Sequence, residues 1–193
     1  MAIYTTNTTP GYMGATGYRG SNAFRSLYGA DLSKAIREAL KAEKVKGVTV
    51  KVSTYTGGQS ITLTIKAAPT DYMPIADYLE IVGLKDFAPF DWIRDPDTGK
   101  DVSIYDAYDW PLAKQEHVKT MLAVEHMRNF RVGKQQLNHY YLDRYTEFKP
   151  EFLAKLHRIN QIVTSFNYDE SNSMVDYFDC GFYAHWYIKN EEV

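Results

Sequence analysis

Between residues 48 and 65 the apolar side chains fall on every second position: Val48, Val50 and Val52, then Ile61, Leu63 and Ile65. A period of two is the signature of a strand with one buried face. Thr56-Gly57-Gly58-Gln59 between the two runs supplies a turn, so the segment reads as a β-hairpin. Just before it, Leu32, Ala35, Ile36, Ala39 and Leu40 follow helical spacing over 31–44, with Asp31 at the N-cap position. A lone hairpin cannot bury its apolar face, and the amphipathic helix beside it is the nearest cover. The pairing predicts an α+β fold: an antiparallel β-sheet covered by helices.

The rest of the chain extends this plan. A second helix is expected over 71–82, with Pro74 in its first turn. Residues 83–111 read as loop, because Pro89, Pro96, Gly99 and Pro111 interrupt any period. Helices are expected over 112–130, briefly near 135–145, and from Pro150 to about 163. In the closing stretch Phe182, Ala184, Trp186 and Ile188 share one strand face, while Tyr183, His185, Tyr187 and Lys189 share the other. The first two dozen residues are rich in Gly, Thr, Asn and Tyr without apolar period, and read as a flexible arm over 1–28. Its Tyr12, Tyr18, Arg19 and Arg25 could grip a partner. The remainder, 29–193, is read as a single α+β domain with a loop and inserted helical segment at about 83–148.

Charge is unevenly spread. The formal net charge is −2, yet residues 1–58 carry eight basic against three acidic side chains and residues 114–158 nine against five. Residues 86–113 carry two against seven, and 159–193 one against six. Opposed blocks of this kind steer association when folding keeps them apart. The apolar runs are too short to span a bilayer, and the first residues lack a secretory pattern, so a cytoplasmic protein of the host cell is expected. A single cysteine, Cys180, excludes an internal disulfide and a cysteine-based zinc cluster.

Two stretches carry a family likeness. In 32–70, Ile36-Arg37 and Leu40-Lys41 lead into Ser53-Thr-Tyr55-Thr-Gly57-Gly58-Gln-Ser60-Ile61, closed by Pro69. Near the end stand Phe166-Asn167-Tyr168-Asp169, Ser171 and Asp176-Tyr177-Phe178. Together they resemble the large polyvalent protein-associated domain numbered 29, found in proteins of phages and conjugative elements. Asn172 replaces an acid of that family's ending, and in FDWIRD (90–95) Trp92 replaces a glycine. Residues 96–148 have no counterpart. The resemblance implies a setting, a mobile genetic element, and no catalytic residues.

Tests for chemistry are mostly negative. His117 and His126 lie nine positions apart, which at about 100° per residue puts them on opposite sides of a helix and unable to share an ion. Asp95-Pro-Asp97-Thr-Gly99-Lys-Asp101 opens like a calcium loop, but Lys100 stands where the glycine belongs and Asp106 where the closing glutamate belongs. A polar turn is expected there. Cys180 and His185 fall on opposite faces of a regular strand. Asp169, Glu170, Asp176 and Asp179 could hold Mg²⁺ for nucleic-acid cleavage, although only Lys189 is basic nearby. Asn167 and Asp169 are more simply read as hydrogen-bonding the turn backbone.

The sequence therefore points away from an enzyme. It is expected to act without catalytic residue, metal or cofactor, as a phage or mobile-element accessory protein. It would bind and inhibit a host protein or ribonucleoprotein, such as a DNA-targeting (CRISPR-type) complex, with no membrane partner. The partner-binding candidates are Tyr168, Asp169, Glu170, Asp176, Tyr177 and Asp179, with Asp91, Asp95 and Asp97, an acidic and Tyr-rich surface that imitates nucleic acid. The alternative is nucleic-acid binding in DNA entry or handling, through Arg128, Arg131, Lys134, Tyr140, Tyr141 and Arg144.

Overall fold

The computed structural model describes residues 4–10, 16–24, 26–87, 92–171 and 179–190. Its helices and sheets make an α+β fold. Helix α1 (Ala30–Ala42) leads into strands β3 (Val48–Tyr55) and β4 (Gly58–Ala67), which pair antiparallel around the Thr56-Gly57 turn. Gly57 sits at φ 85°, and the Tyr55 ring lies so close to Gly58 that a Cβ there would meet it at 2.9 Å. Both glycines are thus required by the turn. Gly29, at φ 57°, takes the N-cap of α1, and Asp31 lies in the first turn instead.

Strand β9 (Tyr183–Asn190) joins β4 in parallel register, with Ile61 opposite Ala184 and Ile65 opposite Ile188. The last strand was expected to extend an antiparallel sheet. The sheet is mixed, because the chain returns through helices between β4 and β9 and enters β9 from the same end. Strand β7 (Lys134–Leu137) completes the order β3-β4-β9-β7. It lies where a short helix near 135–145 was expected. Gly133 at φ 67° turns the chain onto the edge of β9, and only His139–Arg144 is helical, as a 3-10 turn.

One sheet face carries the core. Val50, Ile61, Leu63, Ile65, Trp186 and Ile188 pack against Leu32, Ile36 and Leu40 of α1 and against Phe152, Leu156 and Ile159 of α5 (Pro150–Ser165). Helix α2 (Ile75–Ile81), with Pro74 at its N-cap, and the C-terminal half of α4 (Leu112–Phe130) reach the same core through Tyr78, Ala123 and Met127. The segment read as loop holds a small hairpin, β5 (Trp92–Arg94) and β6 (Asp101–Ser103), and helix α3 (Ile104–Ala107). Ile93, Ile104, Ala107 and Val118 form a second, smaller apolar cluster there. Helix α4 therefore serves both clusters.

The segment expected to be an arm is structured where it is described. Strands β1 (Thr6–Pro10) and β2 (Thr16–Gly20) form an antiparallel hairpin, and β2 pairs with β8 (Tyr168–Asp169). Its polar composition carries no apolar period because it lies over the end of α5 through backbone contacts. Gly20 N donates to Asn167 O and Asn22 N to Ser165 O, both at 2.8 Å. No described helix is long and apolar enough to cross a membrane.

Candidate functional site

The 32–70 stretch and the closing stretch from 166 meet in space. Gln59, buried just past the Gly-Gly turn, donates through Nε2 to Gly181 O at 3.1 Å and to Leu27 O at 3.2 Å. Its Oε1 accepts from Gly29 N at 2.9 Å. One side chain thus ties the hairpin turn, the entry to α1 and the closing stretch together. Asn167 performs the matching task from the other side: Oδ1 accepts from Phe182 N and Nδ2 donates to Phe182 O and to the Tyr18 hydroxyl.

Beside Gln59 lies a cleft of about 400 Å³. Its floor is apolar, with Leu27, Leu32, Phe166 and Phe182, and its rim is aromatic. Phe24 is 62% exposed, Tyr28 49%, Tyr55 46% and Tyr183 51%, and all four line this one cleft. The Tyr28 hydroxyl donates to Gly58 O at 3.0 Å, which fixes that ring against the turn. Four large rings held open around one concavity are a costly arrangement in a lone chain and a usual one at a binding surface.

The acidic candidates have partners within the chain. Glu170 pairs with Arg19, which donates from Nε at 2.9 Å and also from Nη2, and the Arg19 guanidinium lies 4.7 Å over the Tyr168 ring. Asp169 Oδ1 accepts from Ser171 N at 3.0 Å, an Asx turn as expected. Asp179 lines the cleft, accepting from Glu170 N through its carbonyl and donating through its own N–H to Ser171 Oγ. Asp95 and Asp97 lie far from this group in the β5–β6 turn. The Lys114 ammonium reaches them at 2.7 and 2.8 Å, filling the place a cation would take. Those contacts hold the Asp95 carboxyl well below the usual carboxylate range, at about 2. Asp95 is buried and serves the turn, not a surface. Asp91, Asp176 and Tyr177, like Tyr12 and Arg25, lie outside the described residues.

The basic candidates separate too. Arg131 is drawn inward: Nη2 donates to Met73 O at 2.7 Å and the guanidinium stands 5.2 Å over the Tyr72 ring. Arg128, Tyr140, Tyr141 and Arg144 are exposed, with Arg144 4.4 Å over Tyr141. Lys134 sits on edge strand β7, its ammonium 3.7 Å over the Tyr187 ring. They do not form one basic stripe.

Behind the 180–183 segment a smaller cavity of about 200 Å³ is lined by Tyr18, His139, Tyr140, Asn160 and Asp169, with Cys180, His185 and Trp186. Cys180 and His185 thus reach one cavity, whereas strand alternation put them on opposite faces; Cys180 precedes β9 and is joined to Asp169 by an isolated bridge. Burial pushes the Cys180 thiol up, which opposes a nucleophilic thiolate. Burial and the neighbouring His185 push His139 down. No group of three or more His, Cys, Asp or Glu side chains able to hold a metal ion occurs among the described residues. His126 instead pairs with Glu147 at 2.7 Å and stacks on Tyr78 and Phe130.

Sequence reasoning missed Phe24, Leu27 and Tyr28 as cleft residues, since nothing in an irregular segment shows where its rings point. Tyr55 was read only as part of the turn motif and Tyr183 only as a strand residue, and neither as part of a site. No family model, curated protein or solved structure matches the chain significantly.

Proposed function

We propose that this chain works without catalysis, as an accessory protein of a phage or other mobile genetic element that binds and inhibits a host factor. A DNA-targeting defence complex is the class of target the reading favours. The observation that carries it is the aromatic rim: Phe24, Tyr28, Tyr55 and Tyr183 open on one cleft. Tyrosine and phenylalanine are enriched at protein interfaces, where large rings bury area at little entropic loss. The setting rests on the resemblance of the 32–70 and 166–178 stretches, which both line this cleft. Glu170, Asp95 and Asp97 are engaged within the chain by Arg19 and Lys114, so the reading places the partner surface at the rings.

The experiment is a phage-restriction or plasmid-interference assay in a host with a DNA-targeting defence, with the chain expressed in trans. The wild type should relieve interference. Phe24→Ser, Tyr55→Ser and Tyr183→Ser combined should abolish relief while melting within a few degrees of the wild type. Absence of relief by the wild type across several defence classes sinks the inhibitor reading. Full relief by the folded triple variant removes the cleft from it.

A further inference from the structure

The four-stranded sheet has a second face, opposite α1 and α5, and among the described residues that face carries no carboxylate. Its outward positions hold threonines, serines and tyrosines with four exposed lysines: Lys51, Lys66, Lys134 and Lys189. Three of these form a row. Lys66 is the Cα partner of Lys189 across β4 and β9, and Lys189 is the partner of Lys134 across β9 and β7. Strands lie about 4.8 Å apart, so three like charges stand within roughly 10 Å along the hydrogen-bonding direction.

Like charges placed directly opposite one another destabilise a sheet. No ion pair relieves Lys66, Lys134 or Lys189 among the described residues; Lys134 rests only on the Tyr187 ring. A row of repelling ammonium groups at the spacing of strands suits a polyanion laid across them. The face is shallow and presents no helix or projecting ribbon of the kind that enters a duplex groove. It does present a ring, Tyr187, two residues before Lys189 on the same strand. We propose that this face binds a single strand of nucleic acid, with phosphates on the Lys66–Lys189–Lys134 row and a base against the Tyr187 ring, the combination that single-strand binders use. The lysine row lies at the opposite end of the strands from the cleft, so the proposal stands apart from the inhibitor reading.

The test is fluorescence anisotropy of the purified full chain with a labelled oligothymidylate over a salt series. For single strands the log–log salt slope falls by about 0.7 per phosphate neutralised. The wild type should bind at low salt, and Lys66→Ala, Lys134→Ala and Lys189→Ala combined should weaken binding at least tenfold and flatten the slope by up to about 2. The triple variant should melt no lower than the wild type, since repulsion is removed. Arg128→Ala with Arg144→Ala should leave the slope unchanged, as should the cleft variants Phe24→Ser and Tyr55→Ser. Four results would each overturn the proposal: no binding by the wild type at low salt, equal binding by the folded lysine variant, loss of binding in the Arg128/Arg144 variant, or displacement by polyglutamate as effective as by unlabelled oligonucleotide.

Discussion

The side chain of Asn167 occupies the place of a strand beside Phe182: Oδ1 accepts from Phe182 N at 2.9 Å and Nδ2 donates to Phe182 O at 3.1 Å. Both backbone groups are buried, and Nδ2 also holds the Tyr18 hydroxyl at 2.8 Å. Asn167→Ala strands these groups without water. Stability should fall by about 2–3 kcal/mol, since each orphaned buried group costs about 1–3 and the neighbours relax in part. Asn167→Asp keeps the acceptor and loses both donors, so it should not restore stability. Urea unfolding at neutral pH checks both; a loss under 1 kcal/mol for the alanine variant would mean the closing stretch holds its place by other contacts.

Gln59 invites a matched substitution. Gln59→Leu preserves volume and deletes the bonds to Gly29 N, Leu27 O and Gly181 O. A loss of about 2–4 kcal/mol is expected on the same reasoning. Amide hydrogen exchange should quicken at Gly29 and Gly181, while amides in the β3–β4 ladder remain protected. Uniform deprotection would instead show that the turn and the ladder open as one unit.

At Gly20 the constraint is space. A Cβ there would lie 2.1 Å from Ser165 O and 2.5 Å from Thr164 O, both backbone atoms at the end of α5. Gly20→Ala should therefore push β2 off the helix and lower stability by about 2–3 kcal/mol, the range of an overpacked site. Proteolysis should cut the first two dozen residues faster in the variant. Unchanged melting and cleavage would place the N-terminal hairpin elsewhere.

The β5–β6 turn predicts a pH dependence. Asp95 has its pKa lowered from 3.8 to about 2, first by the hydrogen bond from Lys114. A carboxyl depressed in the folded state contributes stability that is present above its unfolded pKa and lost as pH falls through the folded value. Wild type and Asp95→Asn should differ most above about pH 4 and converge toward pH 2. Thermal melts from pH 2 to 7 measure the gap; a gap that does not narrow in acid would remove Lys114 as the cause.

What was legible in the sequence follows from which forces are local. The 48–66 hairpin, α1, α4 and α5 were readable because burial of one face imposes a period on neighbouring residues. The β7 strand was not, since QQLNHYY holds too few apolar residues for period two to separate from helix. The direction of β9 was not, since alternation is the same for parallel and antiparallel pairing. In the site, Asp169 was read correctly as a turn-maker from residue type alone, whereas Asn167, read the same way, instead bonds the distant backbone of Phe182. The pairing of Glu170 with Arg19, and of Asp95 with Lys114, could not be read, because a charge does not reveal its partner across the fold.

The parallel register between β4 and β9 has a consequence for how the molecule is made. The β3–β4 hairpin closes over a few residues and can form as soon as it is synthesised, but β4 meets β9 only across about 120 residues of intervening chain. Until then the far edge of β4 is an open row of backbone donors and acceptors beside the apolar run Ile61, Leu63, Ile65 and Ala67. During that interval the growing chain is exposed to pairing with a copy of itself. Speed of synthesis through 67–183, and any helper that shields a strand edge, should accordingly govern the yield of native protein more than the stability of the finished fold.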